Sequence, residues 1–288
     1  AGLNEVRPMP FVADGKGATV RVTNPLAEDE AFLRGDLLTT LVSRAEYNLA
    51  RMQGNVRLFE IGTAFFAGED PASVPGPRKA ALPREEMHVA ALVMGQRAPT
   101  HFTKAVQPSY DEWDIKYIAE VTAAAAFPAA AVKLVPGSGE ILWDVSADGK
   151  TVGAVRRLKL DAPVWARPAF GMEINLEGIE QSPLRNKAYR AIPATPRVQV
   201  DLALVAATSV TAAQIDELIR REAGELLESL TLFDEFTGQG IPEGSRSLAW
   251  ALTFRDPERT LKDAEVQGRT EKIVHALEGE LGVRQRTS

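Results

Sequence analysis

The sequence predicts an α+β protein in two parts, an antiparallel sheet domain over residues 1–186 and a βαββαβ domain over residues 187–288. Three observations predict it. Short apolar runs with a period of two recur along the chain, as half-buried strands require. Four stretches instead carry the 3.6-residue spacing of amphipathic helices. Between the parts lies a polar segment, Glu177 to Pro196, whose Pro183, Pro193 and Pro196 mark a linker.

In the first part, Thr19 to Val22 reads as a strand. Asp36 then supplies a carboxylate to cap a helix that runs to about Arg51, with Leu37, Leu38, Leu41, Val42, Ala45, Leu49 and Met52 along one face. That stripe is either a core face or a subunit interface. Val56 to Gly62 and Ala64 to Phe66 form a buried strand signature broken at Gly62, and Gly68 to Arg84 is a Pro- and Gly-rich loop. His88 to Gly95 is the next strand. A helix starts near Trp113, with Asp111, Glu112 and Asp114 at its first turn, where negative charge complements the helix dipole. Ile141–Val145 and Thr151–Val155 make a hairpin around an Asp148-Gly149 turn, and Phe170 to Leu176 is the last strand of this part.

The second part starts with a strand from Val198 to Val205, followed by a helix over about Ala212–Leu227. Two strands then flank a loop rich in Gly and Pro, Thr237 to Gly244. In the second of them Leu248, Trp250, Leu252 and Phe254 alternate with Ala249, Ala251, Thr253 and Arg255, giving one apolar face and one open face. A helix over Asp263–Leu281 ends at Gly282, and Val283 to Arg286 closes the sheet. This order is the ferredoxin-like plan, with both helices on one side of an antiparallel sheet. Lys262 stands where a capping acceptor would serve the last helix. Lysine offers none, so fraying is expected there unless Thr260 or Asp263 takes the role.

Composition excludes several classes. The chain has no cysteine, hence no disulfide framework or thiolate metal site, which suits a reducing cytoplasm. Its three histidines, His88, His101 and His275, lack ligand spacing, and no metal site is expected. No apolar run reaches the ~20 residues of a membrane span. The formal charge is −6, and from Arg190 onward 12 Lys and Arg face 16 Asp and Glu. Nucleic acid would therefore have to be held by a few placed cations and by stacking, not by a broad basic field.

The wording of the second part is more specific than its plan. Leu232-Phe233-Asp234, the run Gly238-Gln239-Gly240-Ile241-Pro242-Glu243-Gly244, Ser247-Leu248-Ala249 and Asp256-Pro257-Glu258-Arg259-Thr260-Leu261 together resemble the ferredoxin-fold anticodon-binding domain that closes the β subunit of bacterial phenylalanyl-tRNA synthetase. Pro196 to Val205 resembles its first strand. In the first part, Asn24-Pro25-Leu26, Leu33-Arg34, Leu37-Leu38, Asn48, Leu58-Phe59-Glu60-Ile61-Gly62, Gly95-Gln96-Arg97-Ala98-Pro99 and Asp114-Ile115-Lys116 resemble the catalytic-like domain of the same subunit, which is similar to a class II synthetase core. The abrupt opening at Ala1 reads as the start of a fragment, with the family's editing region expected upstream.

The resemblance implies an (αβ)₂ heterotetramer that joins phenylalanine to tRNA(Phe) with ATP and Mg²⁺, the chemistry residing in the α subunit. The helix after Asp36 would then pack on that subunit through Leu37, Leu41, Arg44 and Asn48. No cofactor is expected in this chain: Arg78 and Arg84 match a nucleotide-gripping arginine by position only, and Gly137-Ser138-Gly139 has no nearby cation. Strand parity puts Arg197, Gln199, Phe233, Thr253 and Arg255 on the open face of the second part, the face on which RRM-like sheets stack unpaired bases. Two departures stand out. Gln199 and Val200 occupy places where the family often carries paired arginines, and Arg157-Leu158-Lys159 replaces a Leu-His-Pro. Two rival readings are an interaction scaffold that never meets RNA and an independent enzyme built on the class II-like core.

Overall fold

The structure is a computed structural model that describes residues 2–14, 17–68, 82–103, 106–180 and 193–286. The chain divides into two compact units, Ala1–Asn186 and Lys187–Ser288. Arg78 and most of the expected linker lie outside the described residues.

The first unit is built on a seven-stranded sheet. In chain order its strands are β1 (Asn4–Glu5), β5 (Val56–Phe66), β6 (Arg84–Met94), β7 (Val132–Pro136), β8 (Ile141–Ala147), β9 (Lys150–Leu158) and β10 (Ala169–Asn175), arranged β1-β5-β6-β10-β9-β8-β7. All pairings are antiparallel except β1 with β5. A small sheet of β2 (Phe11–Val12), β3 (Val20–Arg21) and β4 (Phe32–Leu33) precedes the first helix.

Two helices cover opposite faces of the large sheet. Helix α1 (Leu38–Leu49) packs on Leu58, Ala90, Leu92 and Met94. Helix α2 (Glu112–Ala126) packs on Val89, Ala91, Val93, Phe170, Met172 and Ile174. The alternation along β6 explains this, since its even and odd residues serve different cores. Asp111 accepts from the amides of Trp113 and Asp114, and Asp114 accepts from the Asp111 amide, so these two form a capping box, while Glu112 pairs with Arg157. The hairpin turn falls at Asp148 and Gly149, with φ of 49° and 80°.

Gly62 does not break β5, contrary to the sequence expectation. An added Cβ there would meet Arg34 Nη2 and Glu60 Oε1 at 2.7 Å, so glycine makes room for a buried ion pair inside a continuous strand. Arg34 bonds both Glu60 oxygens at 2.6 and 2.9 Å, Thr40 Oγ1 at 2.8 Å and the Thr63 carbonyl at 3.1 Å. Asp36 accepts the Thr39 amide as expected. Glu173, from β10, accepts the Leu37 and Leu38 amides as well and holds His88 Nδ1 at 2.6 Å.

In the second unit the order is β11 (Val198–Ala207), α3 (Ala212–Ala223), β12 (Leu227–Phe236), β13 (Ser245–Phe254), α4 (Asp263–Leu281) and β14 (Arg284–Gln285), with the sheet arranged β12-β13-β11-β14. The ferredoxin-like expectation holds. Leu202, Leu204, Leu248, Trp250, Leu252 and Phe254 meet Ile215, Leu218, Ile219, Ile273 and Leu277 of the two helices in one core. Helix α3 ends earlier than its apolar spacing predicts: Gly224 takes φ 64° and a short 3₁₀ turn follows. Gly282 caps α4 in the left-handed conformation.

The start of α4 corrects a detail. Lys262 offers no acceptor, but Glu265 receives the Lys262 amide at 3.0 Å and is itself gripped by Arg259 through two bonds of 2.8 Å. Half of a capping box thus suffices, and neither Thr260 nor Asp263 is recruited. Arg259 and the Lys262 amide push the Glu265 carboxyl down to about 2.

Candidate nucleic-acid interface

Helices α3 and α4 occupy one side of the second sheet, and strand register defines the other in four rows. Gln199, Thr253 and Ser229 form the first row; Asp201, Ala251 and Thr231 the second; Ala203, Ala249 and Asp234 the third; Val205, Ser247 and Phe236 the fourth. Ala203, Ala249 and Ala251 make a shallow floor on the central strands, flanked by the carboxylates of Asp201 and Asp234.

The five residues expected here fare differently. Arg197 and Gln199 are exposed; Arg197 has no hydrogen-bond or ion-pair partner among the described residues, and Gln199 bonds Asp201 at 3.2 Å. Phe233 is 56% exposed. Thr253 is a correction: it sits on the central strand between Gln199 and Ser229, is only 9% exposed, and has no surface to offer a base. Arg255 is a second. Its side chain is 18% exposed and its Nε lies 3.2 Å from Glu228, so the cation is neutralised locally. Glu235 pairs with Arg246 instead.

Two residues absent from the sequence expectation complete the face. Phe236 is 41% exposed, and the Arg286 guanidinium lies 5.5 Å from its ring centroid. Arg286 follows β14, where its amide bonds the Ala203 carbonyl at 2.8 Å, so it reaches from one edge of the sheet to the other. Such a cation over a ring is worth ~0.5–1 kcal/mol when exposed. Beneath the pair, Ser247 is buried although no helix covers this face.

Phe236 escaped simple alternation for a physical reason. Leu232 pairs with Trp250 on the helix side, and two further steps of two would place residue 236 there as well. The register shifts between Leu232 and Asp234, so Phe233 and Asp234 both oppose Ala249. One extra residue reverses the parity, and Phe236 emerges opposite Ser247 on the open face.

The surface of α1 also divides the expected residues. Leu37 and Leu41 are fully buried in the chain's own core and cannot form a subunit contact, because they are the side chains that bind α1 to β5 and β6. Arg44 lies on the outer side, where the half-exposed Asn48 bonds its carbonyl at 2.7 Å. Between them Tyr47, 51% exposed, carries the Arg51 guanidinium 3.4 Å from its ring centroid. Arg84 is the first residue of β6, paired with Glu86 and set 4.7 Å over the Phe66 ring. Among the described residues no group of three His, Asp or Glu side chains is placed to hold a metal, and no helix is long and apolar enough to cross a membrane.

A family model for the phenylalanyl-tRNA synthetase β-chain CLM domain matches residues 1–154, and one for the ferredoxin-fold anticodon-binding domain matches residues 193–286. The chain belongs to the phenylalanyl-tRNA synthetase β-chain family. Curated relatives agree. The phenylalanine–tRNA ligase beta subunit of Listeria innocua is 31% identical over 279 residues, covering 91% of this chain and 32% of the relative. That of Acinetobacter baylyi is 32% identical over 266 residues, covering 89% and 32%. That of Syntrophotalea carbinolica is 28% identical over 303 residues, covering 98% and 36%. The chain thus spans about a third of the length of the curated relatives it matches.

Proposed function

We propose that this chain serves a phenylalanine–tRNA ligase as the part of its β subunit that holds tRNA(Phe) and helps to hold the α subunit, in a cytoplasmic (αβ)₂ assembly. The attachment of phenylalanine, with ATP and Mg²⁺, belongs to the partner subunit. The single observation that carries the RNA role is the open sheet face with its exposed aromatic pair, Phe233 and Phe236, and the Arg286 cation. Unpaired bases of the anticodon loop stack on these rings; Arg286 and Arg197 meet phosphates; Gln199, Thr231 and the two carboxylates meet base edges. Asp201 and Asp234 on the same face favour the rival scaffold reading, because they repel phosphate.

Equilibrium binding of tRNA(Phe) to the chain decides between them. A stacked base contributes ~1–3 kcal/mol, so Phe236→Ala and Arg286→Ala should each weaken binding by roughly 5- to 150-fold. Unchanged affinity in both variants overturns the assignment and leaves the scaffold.

The outer side of α1, with Arg44, Tyr47, Asn48 and Arg51, is proposed as part of the α-subunit contact. Its test is co-purification of the α subunit with Tyr47→Ala and Arg51→Ala variants, which should be recovered at reduced yield.

A further inference from the structure

Helix α2 closes one face of the large sheet with Ile115, Ile118, Ala119 and Ala123, all buried. Its outer side does not read as a solvent face. Trp113 is 61% exposed, Tyr117 63% and Val121 42%, and their four-residue spacing stacks them on successive turns. Ala124, also exposed, continues the row. Trp143 of β8 flanks its start, with ring centroids 5.5 Å from Trp113. Polar side chains ordinarily occupy the outer side of a surface helix, and a contiguous apolar row there marks a contact surface.

Charge narrows what the row can meet. Lys116 and Glu120 run along one flank and pair with each other at 3.4 Å, and the Lys116 ammonium lies 5.6 Å from the ring centroids of Trp113 and Trp143. The flank is therefore neutral. A polyanion finds no surplus cation to hold it, and a protein surface of matching shape suits the row better.

The row is also graded, large at the start of the helix and small at its end, and such a gradient is complementary to its own reverse. A twofold axis crossing the helix between Ile118 and Ala119 sets Trp113 of one copy opposite Ala124 of the other. It brings Tyr117 within one residue, about 1.5 Å along the helix, of the other copy's Val121. It also keeps the charged flanks on the same side, so that Lys116 of each copy comes within one residue of the other's Glu120. One operation satisfies both size and charge, as an isologous contact requires. We infer that α2 is the surface through which two copies of this chain pair, helix against antiparallel helix. Helix α1 lies across the sheet from α2, so this contact is independent of the one proposed for the α subunit.

Sedimentation velocity of the chain from about 1 to 500 μM tests the pairing. A reversible dimer with a Kd of about 10–100 μM is expected, and Trp113→Ala should weaken it at least about tenfold. Lys116→Glu and Glu120→Lys should each weaken self-association by a similar factor, because each leaves a flank of one sign. An equimolar mixture of these two variants should pair again, since their flanks are then opposite. A chain that stays monomeric throughout overturns the contact, as does a dimer that Trp113→Ala leaves unchanged or a mixture that fails to pair. Should a variant fail to fold, amide shifts on dilution of the unaltered chain decide. Shifts confined to α2 and Trp143 support the contact, and shifts elsewhere overturn it.

Discussion

Among the described residues of the first unit, the Arg34–Glu60 pair is the most deeply buried charge, each side chain only 4% exposed. Each guanidinium nitrogen and both carboxylate oxygens are bonded, so desolvation is offset where they meet; removal of one partner strands the other in an apolar setting. Arg34→Met should therefore lose ~3–5 kcal/mol in urea unfolding, and the double change Arg34→Met with Glu60→Leu should recover most of it. A second residue-scale expectation concerns Glu265. Its carboxyl is held well below its ordinary value by Arg259, so the stabilisation is complete above pH about 4.5 and is lost as pH falls through about 2. In Arg259→Gln the acid limb of the stability curve should flatten in that window, which thermal unfolding between pH 2 and 5 measures. The exposed setting of the pair keeps the effect modest.

At the scale of elements, periodicity carried most of what the sequence could tell. Helix α4 was legible to the residue, because Asp263 follows a break and Gly282 ends the apolar spacing. The ferredoxin-like order followed from alternation in β11 and β13, both central strands with one buried face. Strand β12 was half legible: its two bulges, at Glu228 and Phe233, carry no side-chain signature, and only the partner strand reveals them. The same blindness hid Arg286, whose place beside Phe236 depends on three intervening pairings. For α1 the apolar stripe was real but ambiguous between core and interface, and burial of Leu37 and Leu41 settles it for the core. The outer side bears no core residue. Tyr47→Ala should thus shift stability by less than about 1 kcal/mol in chemical unfolding, leaving any loss of α-subunit binding attributable to the surface itself.

For the whole molecule, charge and modularity set the expectations. With a net charge of −6, the proposed binding of RNA through a few placed groups would release few counterions. The slope of log K against log salt for tRNA(Phe) should be shallow, about −2 if three phosphates are met, and a slope several times steeper would point to a basic surface elsewhere. Each unit has its own core, with no residue shared between the clusters. Residues 187–288 expressed alone should unfold cooperatively, with a single calorimetric transition.

The extra residue at Phe233 makes β12 a ribbon whose two halves answer to different neighbours. Loss of the codon for Phe233 would only absorb the bulge and leave Phe236 opposite Ser247 on the open face, whereas loss of the codon for Glu235 would turn Phe236 toward the helices. Among homologues, then, where an alignment opens its gap in this stretch decides whether an aromatic meets solvent or the helices. Percentage identity is silent on that choice.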